Sequence, residues 1–438
     1  MRSGPVSAPE LRRLVAAAQA ERIPSVSAAV VRNGEVVYAD AIGIAEPGRD
    51  ATPDDQYRIG SISKTFCAAA VMQLRDEGAL ALDDPLTAYV PESAEGPSIR
   101  RLLSHASGLE REPKGEIWET LKPPTRDELL AQLGGVESVL EPGRRFHYSN
   151  LGFALLGEVV VRLAGRPFED HVDERILRPL GMERTTWRAA EPCARGYFVD
   201  PYEERLLPEP DMEPGATQSV GGLWSTVGDL ARWAAFLADP DPAVLKPETV
   251  EEMASVQVMA DAAWKSGYGL GLQLLRDGDR VYAGHGGAMP GFLAGLAVAR
   301  AEKAGAAVLT NTSAGASPDV LAVGLVAKSL ELDPPAPNLW KAQDEAPAEL
   351  RPLLGRWWSE GHEFVFFCRD GKLHARLDPP VAGREPAVFE PVDDGRFRTV
   401  SGREIGEWLR VVRDGQGAVT KLYWATYAFT RDPQVFGA

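Results

Sequence analysis

Residues 26–44 read as two apolar-rich strand patterns around a polar break at Asn33-Gly34. A period of two marks a strand, and Asn-Gly is the pair that a type I′ hairpin turn favours. A β-hairpin is therefore predicted. Before it, Leu11, Leu14, Val15 and Ala18 share one face of an amphipathic helix within residues 1–22. After it the period lengthens. An apolar run over 65–78 predicts a helix, and helical patterns recur at 99–103, 125–133, 151–164 and 172–180, the last closed by Gly181. Thr226 is placed to cap a helix over 227–237. Residues 188–216, rich in Pro, Glu and Arg, predict an excursion over the surface. Strand patterns then return at 267–275 and 280–283, around Asp277-Gly278, and again at 292–299 and 306–311. A closing helix is expected over 319–330.

Pro334, Pro335, Pro337 and Pro347 mark a break. The expected organisation is a first domain at 1–334, a Pro-rich linker at 335–348 and a second domain at 349–438. Turn signals at Asp370-Gly371, Asp393-Asp394-Gly395 and Asp414-Gly415 separate short strands with no helix between them. Such a pattern predicts a small antiparallel barrel or sandwich. The first domain reads as a mixed α/β (α+β) fold, a mainly antiparallel sheet flanked by helices.

Composition narrows the function. The chain has 438 residues, 44% apolar and 25% charged, with a formal charge of -16. That charge disfavours a nucleic-acid partner. Three cysteines, Cys67, Cys193 and Cys368, lie far apart and suggest neither disulfides nor a metal site. No His-Glu-x-x-His or cysteine cluster points to a metal, and no cofactor is expected. There is no apolar run suited to a signal or a membrane span, so a cytoplasmic protein without membrane attachment is the expectation.

The chemistry starts at Arg58-Ile59-Gly60-Ser61-Ile62-Ser63-Lys64. Ser61 stands where a helix begins, and Lys64 follows at a spacing that shares its face. A serine becomes a nucleophile when a neighbour takes its proton. A lysine does so only when burial or nearby charge lowers its pKa. Alone, Ser-x-x-Lys also describes an N-cap serine beside a solvated lysine. Tyr148-Ser149-Asn150 and His285-Gly286-Gly287 follow in order. By themselves Tyr148 would suit a core, Asn150 a helix N-cap and His285 a surface turn. There is no Gly-x-Ser-x-Gly elbow of the doubly wound esterases.

With their flanks these motifs resemble the serine β-lactamase, penicillin-binding protein and related esterase superfamily, in its class C-like branch. The flanks are the segment 102–109 (Leu-Leu-Ser-His-Ala-Ser-Gly-Leu), Glu141-Pro142-Gly143, Gly221-Gly222-Leu223 and Pro290-Gly291-Phe292. The resemblance spans about residues 10–330 and implies an added all-helical subdomain. It implies an acyl-enzyme on Ser61, with Lys64 and Tyr148 sharing the proton. The ammonium would lower the tyrosine pKa, and either could be the base. Asn150 would bond Lys64 and a substrate amide. The N–H groups of Ser61 and Ala288 would form the oxyanion hole, with Gly287 beside the substrate. His105 reads as structural. Trp224 is core or lines the acyl pocket. The Lys-Thr-Gly of lactam-processing members is replaced here by His285-Gly286-Gly287, which resembles the esterase, D-amino-acid peptidase and peptide-thioesterase members.

The second domain resembles a lipocalin-like barrel. Its Gly355-Arg356-Trp357 would be covered by Arg431 through cation–π packing, or Arg431 would meet a substrate carboxylate. The expected partner is a small-molecule or peptide acyl substrate, free or carried on a protein. One alternative is a thioesterase that releases and macrocyclises a nonribosomal peptide. Another is a non-catalytic ligand-binding or sensor module. Oligomeric state is not legible.

Overall fold

The computed structural model describes residues 8–93, 96–337, 339–342, 344–393 and 395–435. The polar lead at 1–7 and Asp394 of one turn signal lie outside them. The described chain divides into two compact units, Met1–Pro335 and Ala336–Ala438. Among the described residues no helix is long and apolar enough to cross a membrane.

The first unit is built on a nine-stranded antiparallel sheet. Its order is Arg49–Asp50, Glu35–Glu46, Ser25–Arg32, Ala304–Thr310, Phe292–Ala299, Arg280–Met289, Gln273–Asp277, Ser266–Tyr268, Val258–Met259. The first hairpin turns at Asn33 and Gly34 with φ of 49° and 82°, the two left-handed residues that a type I′ turn requires. Ser25–Arg32 is buried along its whole length, because both faces of the sheet are covered. On one face Val26, Ala28 and Val30 meet Leu11 and Val15 of the helix Ala8–Ala20 and Leu325 of the helix Pro318–Leu332. On the other, Ala29 and Val31 join the larger core with Trp233 of the helix Val227–Ala238 and Phe66 of the helix Ser63–Asp76.

That last helix carries the site. Every residue from Ser63 to Leu74 is buried, as expected of a helix with core on all sides. Phe66 stacks on Trp233 at 4.2 Å between ring centroids. The Trp233 indole donates to Thr65 Oγ1 at 2.9 Å.

Several expectations need correction. Ser149, not Asn150, caps the helix Asn150–Ala164, accepting from Gly152 N at 3.0 Å. The strand expected over 267–275 is two strands, divided where Gly271 turns at φ 79°. The helix expected at 172–180 starts earlier, as Phe168–Val172, and continues as a π-helical stretch at Asp173–Leu177. His285 lies within a strand rather than in a turn before one.

The second unit is an eight-stranded antiparallel sheet from Gly355–Ser359 to Tyr427–Phe429, in sequence order. Trp358 and Thr430 exchange backbone hydrogen bonds at 2.8 and 3.0 Å, so the first strand meets the end of the last and the barrel is nearly closed. Trp357 is fully buried in it and donates to Leu353 O at 2.7 Å. The Arg431 guanidinium carbon sits 3.8 Å above the Trp357 ring centroid. The same guanidinium donates to Leu354 O and Arg356 O at 3.0 Å and to Pro352 O at 2.7 Å. The contacts described for Arg431 are thus those of the cation–π packing alternative, made inside its own unit.

Trp357→Ala is expected to destabilise this barrel by about 3–5 kcal/mol. Hydrogen exchange read by mass spectrometry should show faster exchange across residues 355–430. Unchanged protection there would contradict the packing described.

Candidate active site

Ser61 lies in a single 3-10 turn, Gly60–Ile62, that leads into the helix Ser63–Asp76. The turn is pressed against the strand Arg280–Met289. A Cβ on Gly60, whose φ is 50°, would stand 2.6 Å from Ala288 N. A Cβ on Gly287 would stand 2.0 Å from Ile59 O. Neither glycine can carry a side chain without moving backbone, and their smallness lets Ser61 and Ala288 lie side by side. Both line one cavity of about 760 Å3.

Lys64 Nζ donates to Ser61 Oγ at 2.9 Å and to Val220 O at 3.2 Å. Lys64 is fully buried. Burial strips its ammonium of water and lowers its pKa to about 7, against the opposing pull of Glu112. An amine at that value is substantially neutral at physiological pH and able to take a proton. Tyr148 lines the same cavity, and its interaction with Ser61 acts to lower its pKa. Its ring centroid is 5.0 Å from Lys64 Nζ. The expected lowering of the tyrosine pKa does not occur. Burial dominates and raises it, and the Ser61 bond and the Arg111 charge only oppose that rise. Burial therefore favours the neutral amine of Lys64 and the neutral phenol of Tyr148.

His285 is buried and its pKa is lowered to about 3 by burial, with Lys64 adding to the effect. The ring is thus neutral. Nδ1 donates to Gly286 O at 2.5 Å, which leaves Nε2 to accept from the Tyr268 hydroxyl at 2.8 Å. His285 lines the cavity without offering a charge to a substrate carboxylate. Asn150 also lines it. Its Nδ2 donates to Glu112 Oε1 at 2.7 Å, and its Oδ1 is buried without a partner among the described residues. The expected bond to Lys64 is not formed. Trp224 does not face Ser61. It lines a separate cavity of about 340 Å3, stacked edge-on to Phe292 and under the Arg58 guanidinium.

Sequence reasoning missed Arg111, Glu112 and Tyr268. Arg111 sits 5.0 Å from the Tyr148 ring centroid, and Glu112 lines the cavity beside Asn150. They follow the 102–109 flank by two and three residues, which was their available signal. Ile117, Trp118, Phe146 and Met212 give the cavity an apolar wall. Among the described residues no group of His, Cys, Asp and Glu is arranged to hold a metal ion.

As the base in an acyl-Ser61 reaction, Lys64 would have to lose its proton before Ser61 could be activated. Turnover should therefore rise with pH through about 7 as one proton leaves. The folded-state pKa lies below that of a free lysine. The proton thus opposes folding fully below about pH 7 and is relieved as pH rises toward 10.4. Lys64→Met is expected to abolish turnover and to raise the melting temperature, most strongly below pH 7. A rate profile centred near 10, or a Lys64→Met protein less stable at pH 6, would contradict this reading.

Comparison with known proteins agrees with this geometry. Residues 11–331 match the Beta-lactamase family, and residues 346–431 match a domain of unknown function, DUF7586. The chain is 32% identical over 222 residues to the D-alanyl-D-alanine-carboxypeptidase/endopeptidase AmpH of Escherichia coli, covering 47% of this chain and 55% of that one. It is 31% identical over 299 residues to the esterase EstB of Burkholderia gladioli, covering 58% of this chain and 72% of that one. The match thus spans about half the length of AmpH. A solved D-stereospecific amidohydrolase from Streptomyces sp. superposes with a TM-score of 0.63 at 26% identity, over 73% of this chain and 98% of that one. With its fold, its motifs and a family match over most of its length, the chain belongs to the Beta-lactamase family of the β-lactamase/transpeptidase-like superfamily.

Proposed function

We propose that the protein is a serine hydrolase or acyltransferase that opens an ester, thioester or amide through an acyl-Ser61 intermediate. The observation that carries this is the 2.9 Å contact between Ser61 Oγ and the fully buried Lys64 amine. In the first step the neutral amine takes the Ser61 proton as Oγ attacks the carbonyl carbon. The carbonyl oxygen gathers negative charge against the N–H groups of Ser61 and Ala288. Removing such a donor typically costs about 3–4 kcal/mol in transition-state stabilisation. The neutral Tyr148 phenol, which lines the cavity with Ser61, hands a proton to the leaving group and is refilled from the Lys64 ammonium. Water or an amine then takes the acyl group by the reverse path.

The cavity narrows the acyl group. Its apolar wall suits an uncharged side chain, and the Glu112 carboxylate suits a free amine on the acyl portion. Neutral His285 supplies no cation for a carboxylate, which speaks against efficient β-lactam hydrolysis. Small esters and D-amino-acid amides or peptides are the favoured substrates. This reading is supported by the names of the esterase and amidohydrolase relatives. Peptide thioesters, free or on a carrier protein, would use the same chemistry and belong on the same panel.

Intact-mass measurement across esters, D-aminoacyl amides and peptide thioesters tests the proposal. An adduct on wild type that Ser61→Ala lacks, with hydrolysis of p-nitrophenyl butyrate reduced at least about 10³-fold, is the expected result. A protein that binds these compounds without any Ser61 adduct, and resists a serine-reactive phosphonate, would be the sensor instead.

A further inference from the structure

The segment that carries Tyr148 is irregular. Residues 141–149 form no strand or helix, so their amides need partners from elsewhere. Two come from one residue. His147 N donates to His105 O at 2.8 Å, and Ser149 N donates to His105 Nδ1 at 3.0 Å. The two amides flank Tyr148 on either side.

His105 occupies an unusual place. The helix Ile99–Leu103 ends with Ala106 N bonded to Arg101 O at 2.9 Å and His105 N to Leu102 O at 3.3 Å. This is the paired arrangement whose turning residue takes the left-handed conformation and is usually glycine. Here it is a fully buried histidine with φ 55°. A side chain at this position strains the backbone, yet a large one is present. Its ring lies 4.1 Å from the Tyr148 ring, tilted by 31°, and 4.6 Å from the Tyr268 ring on another side. Nδ1 accepts from an amide, so the imidazole is neutral and its proton sits on Nε2. Burial holds it in that form. Nε2 has no hydrogen-bond partner among the described residues. The polar contact that the side chain makes is therefore the one to the Tyr148 segment.

We propose that His105 is a positioning residue that fixes Tyr148 against Ser61, by bonding both flanking amides and packing on the phenol ring. It touches no substrate. The inference rests on the acyl-Ser61 reading, in which the Tyr148 hydroxyl must stay within hydrogen-bond reach of Ser61.

Two variants separate positioning from bulk. Glycine and asparagine both tolerate the left-handed turn, but only asparagine places an acceptor where Nδ1 stands. With p-nitrophenyl butyrate, His105→Gly is expected to lose at least about tenfold in kcat with KM within about twofold of wild type. His105→Asn should recover most of that loss. Amide exchange at 147–149, read by mass spectrometry, should quicken in His105→Gly and return toward wild type in His105→Asn. Wild-type kcat in folded His105→Gly would overturn the proposal, as would equal losses in both variants. Should His105→Gly fail to fold, His105→Asn decides alone: kcat within about threefold of wild type supports positioning, and a tenfold loss overturns it. Absence of Ser61-dependent hydrolysis in the wild type would defeat the acyl-enzyme reading instead. The exchange measurement would then still judge His105, and unchanged exchange in His105→Gly would end the case for it.

Discussion

An amine kept out of water, one hydrogen bond from a serine, is the constraint on which the rest of the first unit depends. Lys64 lies on a helix buried from Ser63 to Leu74. Desolvating an ammonium is unfavourable, and among the described residues no carboxylate forms an ion pair with it. Glu112 pulls the other way, but desolvation prevails. Aromatic rings enclose the amine: the Tyr148 and Phe153 centroids lie 5.0 and 5.8 Å from Nζ. His105 and His285, which could add charge, are themselves held neutral by burial. Burial on the helix is what favours a free amine beside Ser61.

The sheet supplies the other half of the site. Gly60 and Gly287 allow two backbone segments, remote in sequence, to lie closer than any side chain would permit. Ser61 and Ala288, whose N–H groups would form the oxyanion hole of the proposed reaction, thereby lie side by side. Such preorganised donors act on charge as it develops, without reorganising at the moment of reaction.

Much of this was legible in the sequence. Asn33-Gly34 announced its hairpin, Thr226 its helix cap, and the three motifs their common cavity. What escaped depended on packing. Ser149 rather than Asn150 caps its helix, a one-residue difference that only backbone angles decide. Trp224 follows Gly222-Leu223 closely in sequence, yet its pairing with Arg58 turns it away from Ser61. The pKa of Tyr148 was expected to follow the adjacent ammonium. Its direction is set instead by how much water the surrounding rings remove, and no spacing encodes that. Tyr268 gave no signal, because its partner, His285, lies two strands away in the sheet. In the second unit the Trp357–Arg431 stack was readable from two short motifs. The number of strands was not.

The central claim is that Lys64 rests as a largely neutral amine near physiological pH. Direct titration of lysine side chains by NMR, on protein labelled with carbon-13 at lysine Cε, measures this without reference to any substrate. The account predicts one lysine signal titrating near 7 and missing from Lys64→Met protein. A Lys64 signal that titrates above about 10, with the exposed lysines, would contradict it.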